Sequence, residues 1–185
     1  MAQNDWLERP VHIISANLHS FLNTLYGFQA LPDKQFTKLE ELAVHTSSRE
    51  AVDSNRAIRE YALENGLTEI RDRSGTNLTV QLIDLEKIDL ESSPLGLQNP
   101  EGEKPLLLVM DYAFGEQAYE CMDELLKPFE SENLSQSLNV KSVSVMGKAG
   151  ILEGNKGDLM IPTAHIFEGT ADNYPFENDL SRDDF

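Results

Sequence analysis

The sequence predicts an α/β protein with a mixed sheet, and three observations predict it. Apolar residues recur at helical spacing through the first third of the chain, and the period changes to alternation around Leu78, Val80 and Leu82. A continuous apolar run, Leu106-Leu107-Leu108-Val109-Met110, is then followed by a second helical pattern and by further short apolar segments. Strand, helix, strand, strand in that order is the pattern of a doubly wound or mixed α/β sheet.

Residues 10–27 carry Val11, Ile14, Leu18, Phe21, Leu22 and Leu25, a spacing that lays one apolar stripe along a helix. Pro10 suits its first turn and Gly27 its end. The polar face holds His12, Asn17, His19 and Asn23, with the two histidines two turns apart. Thr37-Lys38-Leu39-Glu40 reads as a capping box, the Thr hydroxyl meeting a free N–H and the Glu reaching back. A further helix is expected from about Ser48 or Ser54 to Asn65-Gly66, with Ile58, Tyr61 and Ala62 on its buried side. These elements form a helical extension over residues 1–68.

Residues 69–104 read as a hairpin and linker. Ser-Gly-Thr-Asn at 74–77 is a turn signal, and the alternation after it suits a half-buried strand. Residues 91–104, rich in Ser, Pro, Gly, Asn and Glu, have the composition of a loop without a packing face.

The third segment, 105–185, reads as an α/β unit. The apolar run after Pro105 suits a strand covered on both faces. Phe114, Ala118, Cys121, Met122, Leu125 and Leu126 continue at helical spacing to Lys127-Pro128, and a polar loop leads to a second strand over residues 140–146. Leu159-Met160-Ile161 is expected as a third. The end of the chain, 168–185, contains Glu168, Asp172, Glu177, Asp179, Asp183 and Asp184 against one Arg, without helical or strand periodicity.

Charge bounds the function. With 32 acidic and 15 basic residues the net charge is −17, which repels phosphate backbones and anionic membranes at long range, so neither nucleic acid nor membrane is an expected partner. Cys121 is the single cysteine, which fits a reducing compartment, and its place on an apolar helix face suits a small buried hydrophobe. The amino-terminal residues lack the basic end and apolar stretch of a signal peptide, so the protein is expected in the cytoplasm. His12, His19, His45 and His165 are scattered without ligand spacing, and no metal site is expected.

The stretch with chemical content is Val143 through Pro162. A strand runs into Gly147-Lys148-Ala149-Gly150, where two glycines permit a sharp turn and a close approach of ligand to main chain. Loops after strand carboxyl ends are where open α/β sheets bind ligands. A strand, Gly-x-Ala-Gly, a short spacer, Gly157-Asp158 and an apolar segment, with Met110-Asp111-Tyr112-Ala113-Phe114-Gly115 upstream, resembles the nucleoside phosphorylase and nucleosidase superfamily over roughly residues 105–170.

That resemblance implies a three-layer α/β/α phosphorylase-like fold and displacement at the anomeric carbon of a nucleoside or nucleotide. It places Gly147, Lys148, Ala149 and Gly150 against base and sugar, and Phe114 and Gly115 near phosphate or the attacking water. Gly157 and Asp158 would shape a turn, and catalytic residues stay unassigned, as do any roles for His165 and Asp172. Lys148 departs from the family pattern and either adds a cation for a nucleotide or points to solvent. No cofactor is implied beyond phosphate as a co-substrate. Homo-oligomers are a further implication. The family's Met-Glu segment and base-protonating acid would follow Phe185, so this chain alone is expected to be an incomplete enzyme. The alternative is a noncatalytic ligand-binding or protein-interaction domain that keeps a remnant of the fold.

Overall fold

A computed structural model describes residues 6–70, 72–73, 75, 77–91, 93–98, 102–132, 134–166 and 175–184. It divides into two units, Met1–Gly147 and Lys148–Phe185. Among the described residues no helix is long and apolar enough to cross a membrane.

The first unit is a mixed α/β structure. Its strands β1 (Pro10–Ser15), β2 (Leu67–Ile70), β3 (Val80–Asp84), β4 (Leu106–Met110) and β7 (Asn139–Val145) form one sheet in the order β2-β3-β4-β1-β7. β1 runs parallel to both β4 and β7, while β2, β3 and β4 form an antiparallel meander. The helices are α1 (Leu18–Ala30), α2 (Leu39–Thr46), α3 (Val52–Glu64) and α4 (Gly115–Leu126). A short hairpin, β5 (Phe129–Ser131) with β6 (Leu134–Gln136), stands where a polar loop was expected.

The single helix expected over residues 10–27 is two elements. Val11 and Ile13 are buried with the period of a strand, and β1 lies at the middle of the parallel part of the sheet. His12 and His19 therefore share no helix face: His12 Nδ1 lies 2.8 Å from Ser142 Oγ on the neighbouring strand, and His19 is exposed on α1. The helix begins after Asn17, whose side chain accepts the Ser20 N–H at 3.1 Å, and it runs past Gly27. Gly27 is not a stop. A Cβ built there would lie 2.7 Å from the Leu42 side chain, so its smallness lets α2 pack closely on α1.

Two further details differ. Glu41, not Glu40, reaches back to accept the Thr37 N–H at 3.0 Å, and that hydrogen bond holds the Glu41 carboxyl below its ordinary pKa. No strand forms at Leu159-Met160-Ile161. In the second unit β8 (Ala164–Ile166) instead pairs with β9 (Pro175–Glu177), inside the stretch read as lacking periodicity. Glu168 and Asp172 lie outside the described residues. The division at residues 68 and 104 also gives way, because β1 of the expected extension pairs with β4 and β7 of the expected third segment.

Other expectations hold. The hairpin forms as β2 and β3, its turn organised by Asp72, whose carboxylate accepts the N–H groups of Gly75 and Asn77 at 3.1 and 2.8 Å. β4 is covered on both faces, and α3 ends at Asn65-Gly66. Alternation along the strands feeds two clusters. Leu67, Ile83 and Val109 pack with Leu22, Leu25, Tyr26, Ile58 and Ala62 of α1 and α3 on one face. On the other, Val11, Ile13, Leu82, Leu106, Leu108 and Met110 meet Cys121, Met122 and Leu125 of α4. Cys121 is half-buried there, and burial raises its thiol pKa. Tyr26, fully buried, has its hydroxyl pKa raised by burial first and by Asp84 second.

Gly66 is the glycine this framework needs most. Its φ of +105° lies in the left-handed region, and a Cβ would sit 2.8 Å from the Asp84 carbonyl oxygen and 3.0 Å from Lys87 Cβ. Gly66→Ala is expected to destabilise the chain by more than about 1 kcal/mol, read as a lower urea midpoint. An unchanged midpoint would show that the α3–β2 junction tolerates a side chain.

Candidate functional site at the carboxyl edge of the parallel strands

β1, β4 and β7 point the same way, so their carboxyl ends share one edge of the sheet. The chain leaves β1 into α1 on one face and leaves β4 into α4 on the other. Adjacent parallel strands whose connections depart to opposite faces make a topological switch point, the usual place for a ligand in an open α/β sheet. Backbone bonds tie the edge together: Ala16 N–H donates to Met110 O at 3.0 Å, and Met146 N–H to Ser15 O at 2.9 Å.

Tyr112 is the organising residue. Its ring stands 6.4 Å from that of Phe114, inclined at 35°, and a Cβ added at Gly147 would lie 3.6 Å from it. The ring pair and the end of β7 are thereby linked at one edge. Phe114 is 77% exposed, so the pair offers an open aromatic surface to solvent. Gly115 opens α4 with φ +55°, and no atom lies within 4 Å of where its Cβ would be. Asp111 follows β4 and is exposed; its Oδ1 accepts the Tyr112 N–H at 2.8 Å, leaving other carboxylate lone pairs for a hydroxyl or amino donor. α1 and α4 both start at this edge, bringing the partial positive ends of two helices to it.

The expected site residues divide between the units. Phe114, Gly115 and Gly147 belong to the first, while Lys148, Ala149 and Gly150 are exposed members of the second. There Gly150 and Asp158 line one open depression of about 500 Å³, with Ile151, Leu152, Leu159 and Met160. Gly157 has φ +102°, and Asp158 closes a turn by accepting the Asn155 N–H at 2.7 Å. His165 on β8 stands across from Phe176 on β9. Among the described residues no group of three or more His, Cys, Asp or Glu is placed to hold a metal ion.

Tyr112 and Asp111 were not singled out for the site from the sequence. The available signal was an aromatic two residues past a fully apolar strand.

The fold is that of a mixed α/β protein, and this edge, the switch point between β1 and β4, is its candidate site. By sequence the chain belongs to a family of unknown function, DUF6909, whose profile matches residues 42–185. The match starts within α2, so β1 and α1 precede it. No curated protein and no solved structure matches the chain.

Proposed function

We propose that the chain binds a nucleoside or nucleotide at the carboxyl edge of its parallel strands, and that the chemistry served there is cleavage of the N-glycosidic bond. The observation that carries this reading is the Tyr112–Phe114 ring pair beside Gly147. An exposed aromatic surface suits a base, and small residues at a strand end let a sugar approach main chain. The Gly-x-Ala-Gly and Gly-Asp resemblance supplies the reaction class. A three-layer, phosphorylase-like organisation is part of the same proposal, and helices on both sheet faces support it. Catalysis would rest on positioning and on hydrogen bonds to the developing oxocarbenium sugar and leaving base, with water or phosphate as the acceptor.

Base release from adenosine, inosine, AMP and uridine, with and without phosphate, tests it. Release that requires phosphate identifies phosphorolysis, and release without it hydrolysis. The absence of both base release and nucleoside binding by calorimetry would overturn the reading. A noncatalytic binding role is favoured by one observation: Asp111, the carboxylate beside the ring pair in sequence, is exposed rather than sheltered as a working acid. Under that role nucleosides bind and no base is released.

A further inference from the structure

The second unit, Lys148–Phe185, carries a surface that the nucleoside reading does not use. None of its described residues is buried, and only Ile161, Pro162 and Asn178 are half-buried. Among its described residues the ladder of β8 with β9 joins three residue pairs, a size that is marginal in water without further packing. Apolar side chains nevertheless face outward: Leu152 is fully exposed, Leu159 is 70% exposed and Met160 50%. With Ile151 they line the open depression, as do the acidic residues Glu153 and Asp158, Asp158 Oδ2 also accepting the Asn155 N–H at 2.7 Å. An apolar patch rimmed by charge marks an interaction surface.

Charge selects the occupant. The unit holds eight carboxylates against three basic side chains, a net of five negative charges in a chain of net −17. A second copy would set like charge against like, and an anionic lipid surface would be repelled in the same way. A basic amphipathic segment satisfies the apolar floor and the acidic rim together. We propose that this depression receives a lysine- or arginine-rich amphipathic helix of a partner protein. Its apolar side chains seat among Ile151, Leu152, Leu159 and Met160, and its cations face Glu153 and Asp158. The proposal stands independently of nucleoside binding at the other unit.

The test titrates the full chain with a labelled leucine–lysine peptide whose leucines fall at helical spacing. An isomer of the same composition with its leucines scattered is the control. The ordered peptide is expected to bind at least about tenfold more tightly. Leu152→Asp and Leu159→Asp should each weaken it by about tenfold or more, although each adds negative charge. Association driven by charge alone would strengthen instead, so equal or tighter binding by these variants overturns the proposal. So does equal binding of the scattered isomer, or no binding of the ordered peptide. Leu152→Ser, with circular dichroism on every variant, separates lost binding from lost folding. A dimer in sedimentation that Leu152→Asp dissolves would give the surface another occupant and also overturn it.

Discussion

Arg9→Met is expected to cost about 3–5 kcal/mol of unfolding free energy, because it strands a charge where water scarcely reaches. The Asp84 side chain is only 4% exposed, and Arg9 grips it through both terminal nitrogens, at 2.5 and 3.1 Å. The Arg9 Nε also donates to Lys104 O at 2.6 Å, so one side chain ties the approach to β1 to the end of β3 and the approach to β4. With Arg9 gone, the carboxylate keeps the Glu86 N–H at 3.2 Å, too little to offset its burial. Arg9→Met combined with Asp84→Asn should recover much of the loss, since no buried charge then lacks its counterpart. Urea unfolding of the two variants reads this directly. A single-variant loss below about 1 kcal/mol would mean that the pair behaves as an exposed one.

At the proposed ligand site the largest expected effect comes from Gly147→Val with Tyr112→Ala as its companion. Gly147 does not hold a left-handed φ, and a Cβ there makes only ordinary contact, at 3.6 Å from the Tyr112 ring. The fold therefore tolerates the valine, and a changed affinity reports on the ligand. Nucleoside binding is expected to fall by about tenfold or more, roughly 1.4 kcal/mol, with the urea midpoint unchanged. Removing the Tyr112 ring should cost about 1–3 kcal/mol if a base stacks on it. Gly150→Val is the parallel test of the other glycine of the turn, where an added Cβ meets nothing within 4 Å. Wild-type affinity in the Gly147 and Tyr112 variants would remove the ring pair and the strand end from the site.

Parts of the candidate site are legible in the sequence because local chemistry marks strand ends. Phe114-Gly115 follows an apolar strand, and Gly147 ends another, so strand carboxyl ends could be named without coordinates. Their common edge could not, because it depends on β1 lying between β4 and β7. That strand was hidden by its own composition: Val11 and Ile14 also fit a helical stripe continuing into Leu18 and Leu22, and six residues are too few to separate the two periods. Gly27 misled for a related reason, since a glycine that ends a helix and one that admits a neighbouring helix look the same in sequence.

The sequence by itself determined the α/β class, the β2–β3 hairpin, the doubly covered strand β4 and the helix stop at Asn65-Gly66. Each rests on interactions between near neighbours or on an unbroken apolar run. Only the tertiary structure decided that residues 10–15 are a central strand, that Arg9 neutralises Asp84, and that Tyr112 joins Phe114 to Gly147. Those pairings span tens of residues, and their energy comes from burial and charge compensation between segments whose local preferences do not name each other.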